Sequence, residues 1–373
     1  MLGHIALSGG RVTTSLYALE SGASEFLVGA LIGLYGLLPM FLSIAMGRLV
    51  DRIGPFVPMR AGIVSIVIGI TLPVLLPHLS TLFVTAALCG LGFTMMSVAA
   101  QHSVGHVQQG SVANRIRNFG WLSLGHSTSS ILGPIIVGIF IDRLGYRSAF
   151  AALAVSALVS LGLVLRHRSA LRALDMDKPE AGHVVWTLVG QPAMRRIYIV
   201  GVLLAISWDM FAFLIPILGH RRQLSASSLG TILAVFSAGT FAVRLIMARL
   251  ARRFTEWDIL RAAITIIVAI YLLVPLTESL PLLFILAFTL GTAVGCSQPN
   301  MLSLLHTSAP SGRGAEAVGL RNMLGSTSAV LVPVLFGATA ASVGLLPVFW
   351  SVAALVAAAL PAAHRARRDW AHR

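Results

Sequence analysis

The chain has 373 residues, 57% of them hydrophobic and only 11% charged, a balance that no water-soluble domain of this size carries. Lipid therefore has to solvate most of its surface. The formal net charge of +14 does not mark a nucleic-acid binder, which would gather Lys and Arg on a patch interleaved with aromatics; here the charge follows an alternation along the chain.

A spanning helix needs about 20 mostly apolar residues, and twelve such runs are predicted. The first half contributes 2–19, 26–46, 58–77, 80–101, 119–140 and 147–165. The second half contributes 197–218, 227–248, 258–276, 281–305, 319–341 and 344–363. Short connections bearing Gly, Pro or charge join most of them, as in tight helical hairpins. Alternating these runs across a bilayer puts 21 of the 27 basic residues on one side. Four fall on the other (Arg143, Arg147, Arg221, Arg222) and two inside spans (Arg11, Arg244). The positive-inside rule then places the basic side, with both termini, in the cytoplasm.

The expected organisation is an N-terminal six-helix bundle over 1–165, a cytoplasmic linker over 166–196, a C-terminal six-helix bundle over 197–363 and a cytoplasmic tail over 364–373. The linker is basic at both ends and acidic between, through Asp175, Asp177 and Glu180. The first span is the least apolar, because it carries Arg11, and no cleavable signal precedes it. Lys178 is the only lysine, an arginine bias that points to a GC-rich bacterial genome and hence to a bacterial inner membrane. Cys89 and Cys296 are single residues within apolar runs, so neither a disulfide framework nor a metal site follows.

The two halves repeat. Gly-Arg-Leu-Val-Asp-Arg-Ile-Gly at 47–54 and Ala-Arg-Leu-Ala-Arg-Arg-Phe-Thr at 248–255 lie 201 positions apart, matching Arg48 to Arg249, Leu49 to Leu250 and Arg52 to Arg253. Ser24 matches Ser225 and Gly29 matches Gly230 at the same offset. A constant offset marks a duplicated unit, and duplicated membrane halves point to a transporter with its site at the interface of the repeats.

Twelve spans in two halves, a basic central loop and Gly47-x-x-x-Asp51-Arg52-x-Gly54 after the second span resemble the major facilitator superfamily. The resemblance covers essentially the whole chain. It implies an all-α membrane protein, twelve transmembrane helices in two pseudo-symmetric six-helix bundles, with this loop acting as a gating latch between them. Pro55 and Phe56 stand where basic residues usually follow the loop, and Arg252 replaces the Asp in the second copy, which retains Arg249 and Arg253. A second resemblance lies in the fifth span, Leu132-Gly133-Pro134-Ile135-Ile136-Val137-Gly138, echoed by Leu331-Val332-Pro333 and Gly337. Arg117-Asn118 pairs with Arg321-Asn322, Gly145 with Gly344, and Phe150 with Phe349. Gly133, Pro134 and Pro333 would permit helix bends, tolerated where neighbours satisfy the freed backbone. In the family such a motif is associated with exporters and antiporters; ordinary helix packing is the competing explanation.

Ionisable groups at bilayer depth are functional candidates by default. Asp209, preceded by Trp208, is the one acid midway along a span, and Arg11 lies midway along the first. Under the offset Asp209 maps to Ser8, one helical turn before Arg11 and on the same face. The resemblance implies that the first, fourth, seventh and tenth spans line a central cavity, which these two charges would face. His4, Ser8, Arg11 and Ser15 form a polar stripe on the first span. Asp209 is expected to take up the coupling proton, and Arg11 to bind an anionic group of the substrate or to hold Asp209 ionised. Alternatively the pair only neutralises two buried charges. His126, beside Ser123, Ser127 and Ser130, and Gln298 and Asn300, flanking Pro299, are further candidates to touch substrate; hydrogen-bonded packing and a patched kink are the competing explanations. Arg244 is expected to snorkel to the cytoplasmic interface.

No phosphate-binding loop exists, since the sole lysine follows Asp177. With no catalytic or metal cluster and no cofactor implied, an enzyme is not expected. The expected partners are a small solute, protons and the bilayer, the chain acting as a monomer. The expected function is secondary transport by alternating access, proton-coupled, with export or antiport favoured. An uncoupled facilitator or uptake symporter is the alternative, and a non-transporting scaffold or sensor a more distant one.

Overall fold

The structure, a computed structural model, describes residues 1–106, 112–172, 188–250, 253–308 and 314–371. Long helices dominate, and there is no strand among the described residues. In the first half they are α1 (Leu2–Glu20), α2 (Glu25–Ile53), α3 (Phe56–Leu75), α4 (Leu79–His106), α5 (Val112–Leu144) and α6 (Tyr146–Arg166), followed by the short α7 (Arg168–Arg172). In the second half they are α8 (Pro192–Arg221), α9 (Ala226–Leu250), α10 (Glu256–Leu273), α11 (Leu280–Ser308), α12 (Gly314–Val343), α13 (Leu345–Ala357) and α14 (Ala359–Ala371). Residues 173–187 of the linker lie outside the described residues.

Among the described residues, eleven helices are long and apolar enough to cross a membrane, counting α13 and α14 as one. α1 falls short of that test, yet it is the helix that α2, α3, α4, α5 and α6 all pack against. Its buried face includes Gly9, Gly10, Thr13, Thr14 and Ser15 beside Ile5, Val12 and Leu16. A helix whose solvent is other helices can carry polar groups that lipid would penalise. With α1 the chain has the twelve spans that the repeat requires. The basic tail is not a separate coil: α14 carries the helix on to Ala371, held where Arg367 pairs with Asp258 of α10.

Turn chemistry sets the helix ends. Ser24 caps α2, its hydroxyl accepting from the Leu27 amide, and Ser225 does the same for the Ser228 amide at the start of α9. These are the serines that the 201-residue offset matches. Gly54, Gly145 and Gly344 end α2, α5 and α12 with φ of +76°, +80° and +89°, a left-handed turn that only glycine enters without strain.

By contact the chain forms two compact units, Met1–Ala181 with Gly219–Ala234, and Gly182–Leu218 with Val235–Arg373. The turn joining α8 to α9 thus belongs with the first unit. Within that unit α3 lies along α4, α2 along α4, and α1 against α5 and α6. Within the second, α10 packs on α11, α13 and α14, and α12 on α11 and α13. Lipid tails give helices no hydrophobic reason to associate, so close approach through small residues has to hold them. Gly90 of α4 lies so near the Tyr35 carbonyl of α2 that a Cβ would collide with it. Gly291 of α11 meets the Phe236 carbonyl of α9 in the same way. Both pairs are related by 201 positions, so the repeat is one of packing as well as of letters. Phe150 and Phe349, also matched between halves, are both fully buried.

Candidate functional site

α1 brings the first unit's polar stripe into the bundle because its glycines admit neighbours. A Cβ on Gly9 would lie 2.8 Å from Leu153 and 2.9 Å from Val137, and Gly133 of α5 touches Ser8 and Gly9. Gly133 is therefore a contact glycine as well as part of the predicted bend. Pro134 stays within a continuous α5, and its carbonyl receives Gly230 of α9. Pro333 likewise sits inside a continuous α12.

Along the stripe the four side chains have different fates. The Ser8 hydroxyl donates to the Ser129 carbonyl at 3.1 Å and the Ser15 hydroxyl to the Arg11 carbonyl at 3.0 Å, so both are engaged by backbone. Arg11 lies half-buried with its guanidinium carbon 5.9 Å from the centre of the Tyr35 ring, a cation–π contact. Tyr35 is positioned by its own hydroxyl, 3.0 Å from that of Thr14. Within the first unit no carboxylate bonds the Arg11 guanidinium among the described residues. A guanidinium in that setting is a ready partner for an anion.

At the start of α1, His4 stacks on His126 of α5 with ring centres 4.8 Å apart and planes 21° from parallel. Phe93 of α4 closes the group, 5.2 Å from His4 and 6.1 Å from His126. His4 Nδ1 is buried without a hydrogen-bond partner, an omission that costs about 1–3 kcal/mol. His126 is thus gathered with His4 rather than with Arg11. Sequence reasoning placed both histidines on helices but had no means of pairing them, because their separation reflects how α1 lies on α5.

In the second unit Asp209 is half-buried on α8, flanked by Trp208, whose ring meets Phe236 edge-on at 5.0 Å. Phe211 also packs on Phe236, at 4.8 Å. The buried Tyr271 of α10 donates its hydroxyl to the Ser207 carbonyl, which fixes α8 two residues before Asp209. Further along, Arg244 donates to Gln298 Oε1 at 3.2 Å, so α9 and α11 share a polar contact in addition to any interfacial role. The Asn300 amide donates to the Cys296 carbonyl at 2.7 Å, and α11 runs on through Pro299 without interruption. Asn300 therefore patches the helix, although it also lines a cavity of about 500 Å³ with Pro299, Ser303, Glu256, Phe254 and Arg253. Glu256 accepts from Ser303 at 2.8 Å there.

The loop motif is only partly visible. α2 runs past Gly47, Asp51 and Arg52 to its Gly54 cap, but the side chains of Asp51 and Arg52 lie outside the described residues. Arg249 and Arg253 are exposed at the end of α9 and just beyond it.

A polar cluster that the sequence reading did not single out lies at the opposite end of the first unit. Asp142 of α5 accepts from the Ala226 and Ser227 amides at 2.9 and 2.8 Å, satisfying the first turn of α9. Arg221 pairs with Glu25 at 2.6 Å, and Tyr146 donates to Glu20 at 2.7 Å. A cavity of about 310 Å³ lies between Glu20, Asp142, Tyr146, His220 and Ser225. The signal was in the chain: Asp142-Arg143-Leu144-Gly145 repeats Asp51-Arg52-Ile53-Gly54, and both end a helix at a left-handed glycine.

A family model described as Major Facilitator Superfamily matches residues 5–188 and 197–369. Among solved structures, the chain is similar to a POT family transporter in complex with a thioalcohol conjugated peptide: 15% identity, TM-score 0.82, covering 97% of this chain and 92% of that one. It is similar to the nucleoside transporter NupG, with 13% identity, TM-score 0.81 and coverage of 98% and 97%. A bacterial homolog of the human lysosomal transporter Spinster, solved in an inward-facing and unoccupied conformation, aligns with 13% identity, TM-score 0.74 and coverage of 98% and 96%. At such identities the likeness is one of fold. No curated protein gives a significant match to the chain.

Proposed function

Because the chain belongs to the Major Facilitator Superfamily, and so is a membrane transporter, we propose that it moves a small solute by proton-coupled alternating access. Arg11 would receive an anionic group of the solute and Asp209 would carry the coupling proton. The observation that carries this reading is the equivalence of the halves. Gly90 on Tyr35 and Gly291 on Phe236 reproduce one packing at one offset, making α1 and α8 counterparts. One counterpart holds a base at mid-helix and the other an acid, both half-buried. A half-buried carboxylate midway along a spanning helix has little water to stabilise its charge, which suits a group that alternates between ionised and protonated forms.

Export or antiport is favoured by Gly133-Pro134 in α5, and the crowding of basic residues supports a reading with both termini in the cytoplasm of a bacterial inner membrane. The protein works as a monomer on this reading, with the gating loop around Asp51 and Arg52 acting as a latch. The test begins with a thermal-shift screen of the purified protein against metabolites and drugs, in which a hit lost on Arg11→Ala locates the site. In proteoliposomes with an imposed pH gradient, flux of that compound should follow the gradient in the wild type, and Asp209→Asn should uncouple it. Gradient-driven flux unchanged in Asp209→Asn removes Asp209 from the mechanism. For an uncoupled facilitator, Arg11→Asp combined with Asp209→Arg would preserve flux, whereas a proton site does not survive that exchange.

A further inference from the structure

We propose that His4 and His126 form a proton-binding switch in the first unit, distinct from Asp209, in which proton uptake separates the stacked rings and loosens α1 from α5. Two nearly parallel imidazoles with centres 4.8 Å apart tolerate at most one positive charge between them. His4 Nδ1 is buried and unpartnered, so the closed stack holds a ring nitrogen that nothing in the protein satisfies. Binding a proton there asks for water or an anion as partner, and Phe93, packed against both rings, offers neither.

The charged groups around the pair oppose a trapped imidazolium. His126 of α5 is stacked on His4 and Arg11 lies two helical turns further along α1, and both are basic. From α4 the pair meets Phe93, and α2 presents Tyr35 near Arg11. No carboxylate from α2, α3, α4 or α6 bonds the His4 ring among the described residues. The contact that would yield is the start of α1, ahead of the close packing at Gly133. At this end α1 is tied to α5 by Ser8 to the Ser129 carbonyl and by the Ser129 hydroxyl to the Met1 carbonyl at 2.9 Å. Proton uptake is thus linked to release of the first turns of α1, the helix that also carries Arg11.

Hydrogen–deuterium exchange of the full chain in nanodiscs, between pH 5.5 and 7.5 and corrected for intrinsic rates, tests the switch with no solute present. In the wild type, peptides covering 2–11 should exchange faster as pH falls, by up to about tenfold per pH unit, the limit for one linked proton. His4→Asn and His126→Asn, on different helices, should each flatten that dependence. A wild-type profile without pH dependence, or one that both variants retain, overturns the switch. So does its loss in Asp209→Asn alone, which would assign the proton to the second unit. Since exchange is read without transport, failure here leaves the proposed function standing, and a chain that moves no solute can still show the switch.

Discussion

Replacing Asp142 tests whether a side chain of α5 holds the start of α9. Its two oxygens accept from the Ala226 and Ser227 amides at 2.9 and 2.8 Å, and no other acceptor for these first-turn donors lies among the described residues. Hydrogen bonds to a charged group contribute about 1.5–3 kcal/mol each when buried. Asp142 is exposed, so solvent screening reduces the pair to about 2 kcal/mol, near the upper range for a helix cap. Asp142→Ala removes both acceptors. Asp142→Asn keeps one and turns an amide N–H toward the other donor, which costs about half as much. At roughly 2–4 °C per kcal/mol for a unit of this size, Asp142→Ala should melt about 4–8 °C lower and Asp142→Asn about 2–4 °C lower. Melting of the purified protein in detergent, followed by tryptophan fluorescence, reads both. An Asp142→Ala protein that melts within about 1 °C of wild type refutes the capping argument.

The Glu25–Arg221 pair beside it is partly exposed, so Arg221→Ala should cost under about 1 kcal/mol; the difference from wild type should vanish in 1 M salt, where the Debye length is about 3 Å. Gly90→Ala and Gly291→Ala push a Cβ into the Tyr35 and Phe236 carbonyls, and each should lower stability by about 1–3 kcal/mol. Gly162→Ala and Gly325→Ala, with nothing within 4 Å of the added carbon, should melt like wild type; equal melting of all four would show that close backbone approach does not hold the bundles. Tyr271→Phe removes the hydroxyl that reaches the Ser207 carbonyl and should cost about 1 kcal/mol, read in the same melts.

Most of the architecture was legible because lipid enforces it. A run of apolar residues long enough to span has to be helical, and the matched serines, glycines and phenylalanines at one offset announced a duplicated bundle. The site was less legible, for reasons visible in particular side chains. Ser8 and Ser15 look like a polar stripe, yet Ser8 gives its hydroxyl to a carbonyl of α5 and Ser15 to the Arg11 carbonyl one turn back, a satisfaction that serine finds on any helix. Pro299 reads as a break, but Asn300 repairs the helix next to it. Arg244 reads as a snorkelling side chain, yet a neighbouring helix supplies Gln298 as its partner. His4 and His126 are 122 positions apart, and only the crossing of α1 over α5 stacks them. Asp142 is hard to read from sequence because it lies near a helix end on the side with few charges, and its two amide partners are 84 and 85 positions away.

The Asp-Arg-x-Gly tetrapeptide recurs at the ends of α2 and α5. In α5 its aspartate hooks the first amides of a helix from the other sequence half. If Asp51 is used in the same manner, a single piece of chemistry holds a helix start at each end. Hooks so alike would respond in parallel to acid, salt or temperature, and could not by themselves favour one end over the other. That choice then falls to whatever differs between the two ends.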